Sequence, residues 1–225
     1  MRYFVDVWQG SLQSSSNCWE SMLSCLSDDE CRKAEHYTSL RARQRYVMTR
    51  GMLRQVLARY LAVAPQDLRF EQGEFGKPYL VGHTLHFNLS HCADNFLLAV
   101  ANFADIGVDL EAIKPRSHLE SLVERCFSPR ESQYWQALSD EQRLEVFFRL
   151  WTKKEAFVKA VGRGLALGLA QCEFEPAAEG VLVAIPAEYG DASDWNVREL
   201  VVSPLMMAAL VTSNRDYAFR QCVLA

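Results

Sequence analysis

The feature that most constrains the fold is a weak internal repeat. Val5-Asp6-Val7 corresponds to Val108-Asp109-Leu110, the helical stretch around Arg50 to that around Lys154, and Leu68-Arg69-Phe70 to Cys172-Glu173-Phe174, at separations of 103 or 104 residues. Ordered matches at a single period point to a duplicated unit, the competing reading being chance similarity between two generic stretches. The repeat predicts an α+β fold of two similar halves in tandem, residues 1–104 and 105–225, related by a pseudo-twofold axis. The cleft between such halves is the natural place for a ligand.

Local patterns fill in the halves. Arg2 to Trp8 alternates as a strand does, and Asp28 to Ala64 has helical spacing with few breakers, enough for one or two helices after a serine-rich loop. Asp67 to Gln72 reads as a strand, Gly73 to Pro78 as a turn, and Leu85 to Leu89 with Phe96 to Asn102 as a hairpin. In the second half Ile106 to Ile113 is a strand, Glu141 to Val161 a helix, Gln171 to Glu175 a strand, and the remainder strands broken by loops.

With 49% apolar residues over 225 positions the chain can bury a full core, and its net charge of -4 gives no global grip on nucleic acid or anionic lipid. The longest apolar runs fall far short of the roughly 20 residues that cross a bilayer, so no membrane span is expected. The N-terminal residues lack a secretory pattern. Seven cysteines without CxxC or His-spaced pairs read as reduced cytoplasmic thiols rather than a disulfide framework or zinc module.

Several clusters carry possible chemistry. Ile106, Val108 and Leu110 share one strand face, which leaves Asp109 and Glu111 together on the other, close enough to share a hard cation. An exposed acidic strand face is the bland alternative. On the helix, Leu144, Phe147, Phe148, Trp151, Val158 and Val161 form an apolar stripe that contains Glu155, with Lys159 at i+4. That pair could be a simple ion pair, but a carboxylate flanked by Trp151 and Val158 needs a cation or donors to stay charged. His86 to His91 ends a strand at a turn where a hydroxyl, an imidazole and backbone N–H groups could meet an anion, or form only a polar corner. Lys77 sits on a turn stiffened by Pro78. Arg41, Arg43, Arg45, Arg50 and Arg54 crowd one helical segment, either as a solvated face or as a phosphate grip, and Arg50 is the member singled out.

Taken in order, Gly76-Lys77-Pro78, Phe87-Asn88-Leu89-Ser90-His91, Gly107-Val108-Asp109-Leu110-Glu111 and the block from Trp151-Thr152-Lys153-Lys154-Glu155 to Gly162-Arg163-Gly164-Leu165 resemble one family. It is the 4'-phosphopantetheinyl transferases of the larger, surfactin-synthetase-activating type. The resemblance implies two α+β halves with coenzyme A between them, and a magnesium site, open to manganese, formed by Asp109, Glu111 and Glu155. It implies phosphate contacts from Arg50, Lys77, Ser90, His91, Lys154 and Lys159. Catalysis would fall to Asp109, Glu155 and Lys159, with Glu155 the candidate general base and a water or Glu111 the alternatives. Ala34 and Tyr37 stand where further basic residues might be sought, and Cys92 where the family often has a serine.

The expected activity is transfer of the 4'-phosphopantetheine arm of coenzyme A to a serine of an apo acyl or peptidyl carrier protein, by a cytoplasmic monomer. The rivals are a non-catalytic module binding coenzyme A or a carrier protein, and an acyltransferase using thioester chemistry. Ser117 to Leu138 offers Leu119, Leu122, Phe127, Tyr134 and Trp135 for docking a carrier helix, though core packing explains most of them equally well.

Overall fold

The computed structural model describes residues 2–13, 16–164, 168–213 and 216–224; Leu165, at the end of the last sequence block, lies outside the described residues. The first half runs β1 (Phe4–Ser11), α1 (Ser16–Ser24), α2 (Asp28–Glu35), α3 (Leu40–Leu61), β2 (Phe70–Gln72), β3 (Pro78–Leu80), β4 (His86–Cys92) and β5 (Asn95–Ala101). The second runs β6 (Ile106–Ala112), α4 (Leu119–Cys126), α5 (Pro129–Gln136), α6 (Asp140–Val161), β7 (Glu173–Phe174), β8 (Leu182–Ala184), β9 (Asn196–Glu199) and β10 (Met206–Thr212). Leaving aside single 3-10 turns, the two halves have the same order of elements, as the repeat predicts. The sheet orders match too: β1-β5-β4 in one half and β6-β10-β9 in the other, all antiparallel.

Alternation along the strands builds a layered molecule. Val5, Val7, Leu97 and Ala99 from the first sheet and Ile106, Val108, Leu110, Ala208 and Leu210 from the second share one core. The opposite face of β5, with Phe96, Leu98 and Val100, packs on α3, and the opposite face of β10, with Ala209 and Val211, packs on α6. Each long helix therefore backs its own sheet, and the sheets meet in the middle. Of the α6 stripe, Phe147, Phe148 and Val158 are buried and Leu144, Trp151 and Val161 half-buried, with Trp151 stacked against Phe147; Phe157, outside the expected stripe, is buried too.

Three expectations change. The serine-rich stretch contains α1, whose Met22 packs under α3. Ser117 to Leu138 forms α4 and α5, and Phe127 and Trp135 are spent in the core of the second half, which leaves only half-buried Leu119, Leu122 and Tyr134 from the expected docking set. Finally, a division at 104/105 leaves the last strand on the wrong side. β11 (Ala218–Val223) crosses back and pairs in parallel with β1, giving the first sheet the order β11-β1-β5-β4. Arg220 locks it there with two bonds to Asp6, which is fully buried and also accepts from Tyr60.

Gly107 sets how close α6 can lie to β6. A Cβ at this position would stand 2.0 Å from the Ala156 carbonyl oxygen and 2.4 Å from the Ala160 nitrogen, both rigid helix backbone. Gly107→Ala must push strand and helix apart, and we expect a loss of about 3 kcal/mol or more in urea unfolding. A loss below about 0.5 kcal/mol, the range of an ordinary surface change, would contradict this packing.

Candidate functional site

The seam between the halves is an unusual strand contact. β4 and β6 are edge strands of their own sheets and lie side by side, but no strand ladder joins them. Instead the inward side chains of β4 accept from the backbone of β6: Asn88 Oδ1 from Val108 N at 2.8 Å, Ser90 Oγ from Leu110 N at 3.2 Å, and Cys92 Sγ from Ala112 N at 3.3 Å. The period-two spacing of both strands makes this possible. The carbonyls on this edge are met by ammonium groups, Ile106 O by Lys77 Nζ at 3.1 Å and Val108 O by Lys159 Nζ at 3.2 Å.

Asp109 stands in the middle of this seam on the β6 face turned toward α6, and it is 5% exposed. Its Oδ1 accepts from Lys159 Nζ at 2.6 Å and Ser90 Oγ at 3.0 Å, while its buried Oδ2 has no hydrogen-bond partner among the described residues. Ser90 donates once and accepts twice, since Lys159 Nζ also lies 3.1 Å from its oxygen, so the hydroxyl is fully used. Glu111 pairs with Arg116 at 3.1 Å, and that guanidinium lies over the rings of Phe148 and Trp151. Glu155 projects from α6 toward the same place. Burial, then the Asp109 and Glu111 carboxylates, push its pKa above the usual carboxylate range against the pull of Lys159.

The acidic trio is thus brought within electrostatic reach, although no His, Cys, Asp or Glu group among the described residues is gathered tightly enough to form a closed metal cage. The donor set suits a hard cation. It is all oxygen, Asp109 Oδ2 keeps its lone pairs free in the protein interior, and the raised Glu155 gains from any added positive charge.

Beside the trio lies a basic cluster. His91 stands at the exposed end of the β4 face that carries Phe87 and Leu89, and its pKa is lowered by partial desolvation of the ring and then by Arg45 and Lys159. Arg45, from α3, also approaches Asp94 at 3.7 Å. Of the arginine cluster it is thus Arg45, not Arg50, that reaches the seam. No local signal in the sequence marks it, since only the fold brings Arg45 near His91 and Asp94.

Arg50 and Lys154, both expected to contact phosphate, are engaged elsewhere in this structure, and the repeat relates their placements. Glu30 closes the first turn of α2, accepting from Ser27 N, and its carboxylate also takes Arg50 and Arg54, whose guanidiniums lie over Phe70. Glu131 closes the first turn of α5, accepting from Ser128 N at 2.7 Å, and takes Lys154, whose ammonium lies near the Phe174 ring. These are the same device in the two halves, a capping glutamate tied to a cation from the long helix over a phenylalanine. Lys154 is fully buried and also donates to the carbonyls of Leu169 and Cys172. It holds α5 to α6 and has no free donor to offer a phosphate at the seam. Lys77 also differs from expectation: its ammonium donates to Ala160 O at 2.7 Å and to Ile106 O, two backbone carbonyls, and burial brings its pKa down to about 8.

An acidic trio facing a cationic corner, at the junction of two duplicated halves, is a distinctive arrangement, and comparison with known proteins decides what it belongs to. Residues 105–219 match the 4'-phosphopantetheinyl transferase superfamily, and residues 8–103 match a 4'-phosphopantetheinyl transferase N-terminal family. The chain belongs to the 4'-phosphopantetheinyl transferase superfamily. It is 36% identical over 213 residues to the 4'-phosphopantetheinyl transferase HetI of Nostoc, covering 93% of this chain and 87% of that one. It is 30% identical over 151 residues to the transferase Sfp of Bacillus subtilis, covering 67% and 66% respectively. A third relative, the L-aminoadipate-semialdehyde dehydrogenase-phosphopantetheinyl transferase of Xenopus laevis, is 30% identical over 181 residues, covering 74% of this chain and 59% of its own.

Lys154→Met separates the two readings of that lysine. It leaves Glu131 buried and unpaired, so the transferase should lose about 3–5 kcal/mol of stability while its folded fraction keeps its affinity for coenzyme A. Unchanged stability with weakened coenzyme A binding in calorimetry would restore Lys154 to the ligand set.

Proposed function

We propose that this chain transfers the 4'-phosphopantetheine arm of coenzyme A to a serine of an apo acyl or peptidyl carrier protein and releases 3',5'-ADP. The observation that carries the reading is the meeting, on one seam, of Asp109 and Glu111 from β6, Glu155 and Lys159 from α6, and Ser90 and His91 from β4. Asp109, Glu111 and Glu155 would hold Mg2+ or Mn2+. When bound, such an ion supplies charge neutralisation at the diphosphate.

The chain's own groups account for the rest. His91 and Arg45 form the cationic corner for a phosphate, and the neutral imidazole can take a proton as the anion arrives. Lys159 spends its three donors on Ser90, Val108 O and Asp109, so it would offset charge on the phosphoryl oxygens of the transferred group through its positive charge rather than through a spare donor. In the reaction the carrier serine oxygen bonds to the β-phosphorus, the bond from that phosphorus to the bridging oxygen breaks, and 3',5'-ADP leaves. The serine proton goes to a base. Glu155 is the candidate for that role, with a water or Glu111 as the alternative, because a carboxylate that holds a metal ion is a poorer base.

No described helix is long and apolar enough to cross a membrane. All seven cysteines are free, and both walls of the seam come from one chain. Work as a monomer in the cytoplasm fits these features.

Incubation with coenzyme A, Mg2+ and an apo carrier should raise the carrier mass by one phosphopantetheine unit, and chelation of the metal should stop it. Asp109→Ala and Glu155→Gln should each lower the rate by about 10²-fold or more. If the wild-type protein modifies none of a panel of fatty-acid, polyketide and peptide-synthetase carriers, the reading fails in favour of a non-catalytic binding module.

His91 gives an independent check. In the free protein its proton NMR titration midpoint should lie below that of an unperturbed histidine, and 3',5'-ADP should move it up, since a nearby anion offsets Arg45 and Lys159. A midpoint that ignores the nucleotide would remove His91 from the phosphate corner.

A further inference from the structure

We propose that Lys77 is a positioning residue of the transfer reaction, which fastens the end of α6 and the start of β6 to the first half so that Lys159 and Asp109 keep their mutual placement. The inference rests on the proposed function and concerns a residue expected to bind phosphate.

The turn between β2 and β3 presents Lys77. Gly73 and Lys77 close it with a 2.9 Å backbone bond, and Gly76 takes a φ of 83°, which only glycine adopts freely. From there the lysine stem crosses to the second half over Gly162, where an added Cβ would come 3.2 Å from Lys77 Cδ. The ammonium ends between Ala160 O and Ile106 O. Ala160 lies in the last turn of α6, where carbonyls lack helical partners and carry the negative end of the helix dipole, so a cation there both satisfies and stabilises the end. Arg163, just past the helix, lies over the ring of Phe75 on the same turn, with 4.8 Å between guanidinium carbon and ring centre, and adds a second tie.

Sequence adjacency makes this contact consequential. Ala160 follows Lys159 directly, and Ile106 begins the strand that carries Asp109. One ammonium therefore couples the two elements whose side chains meet at 2.6 Å in the site. Its partners are fixed backbone oxygens, with Asp105 acting on it only through its charge. Two of its three N–H donors are held by these carbonyls, and turning the ammonium fully toward a ligand phosphate would give up both bonds.

The test compares Lys77→Met, which keeps the stem but removes the donors, with Lys77→Arg, which can donate to both carbonyls. For a positioning residue, Lys77→Met lowers kcat about 10-fold or more with the KM for coenzyme A within about 3-fold, and Lys77→Arg recovers most of the rate. The proposal is overturned by a KM rise at constant kcat, the mark of a phosphate ligand. A lower melting temperature with unchanged kcat, the mark of a purely structural lysine, overturns it equally. Amide exchange in the absence of coenzyme A supplies a readout independent of turnover. Gly162 N, bonded to Val158 O at 3.0 Å, should exchange about 10-fold faster in Lys77→Met. Unchanged exchange there contradicts the fastening even if the wild-type protein transfers nothing, an outcome that would sink the functional reading separately.

Discussion

An edge strand exposes a row of unpaired backbone groups, and at β6 that row lies inside the molecule, where each unpaired group would cost about 1–3 kcal/mol. Side chains resolve this: Asn88, Ser90 and Cys92 of the first half take the N–H groups, and Lys77 of the first half and Lys159 of α6 take the carbonyls. A continuous sheet across the seam would have satisfied the same groups, but it would have left no side chains pointing at the junction. By pairing through side chains, the protein brings Ser90 and Lys159 to Asp109 with the bonds that hold its halves together. The site and the seam are built from the same contacts.

Duplication alone does not make chemistry, as the two equivalent aspartates illustrate. Asp6 and Asp109 occupy matching strand positions and each faces its long helix. Asp6 is saturated by Tyr60 and a two-pronged Arg220, and β11 covers the edge beside it. Asp109 keeps one oxygen free, has Glu155 and Glu111 nearby, and lies open to the basic corner of Arg45 and His91. By contrast, the paired capping glutamates Glu30 and Glu131 keep one structural role in both halves.

Much of this was legible in the sequence, because the readable parts depend on local period and order. The repeat gave the tandem halves, alternation in Ile106 to Glu111 put Asp109 and Glu111 on one face, and the helical spacing of α6 put Glu155 inside the apolar stripe with Lys159 one turn on, while their meeting with Asp109 was implied by the family resemblance. What escaped depends on partners distant in the chain. Nothing local distinguishes Arg50 from Arg45, since only the fold brings Glu30 to the first and His91 near the second. Lys154 looked like a donor beside Glu155, but a helix turns about 100° per residue, which sends it to Glu131 on another side. β11 returned to the first sheet through Arg220, a residue with no mark of its own in the sequence.

Side chains of β4 replace a partner strand along β6, and amide hydrogen exchange at Val108, Leu110 and Ala112 reports on that replacement. These N–H groups should be protected as strongly as their neighbours on β6 that face β10. Exchange at the fast rate of an open sheet edge would mean that the halves are not joined in this way, and the geometry of the site would lose its foundation.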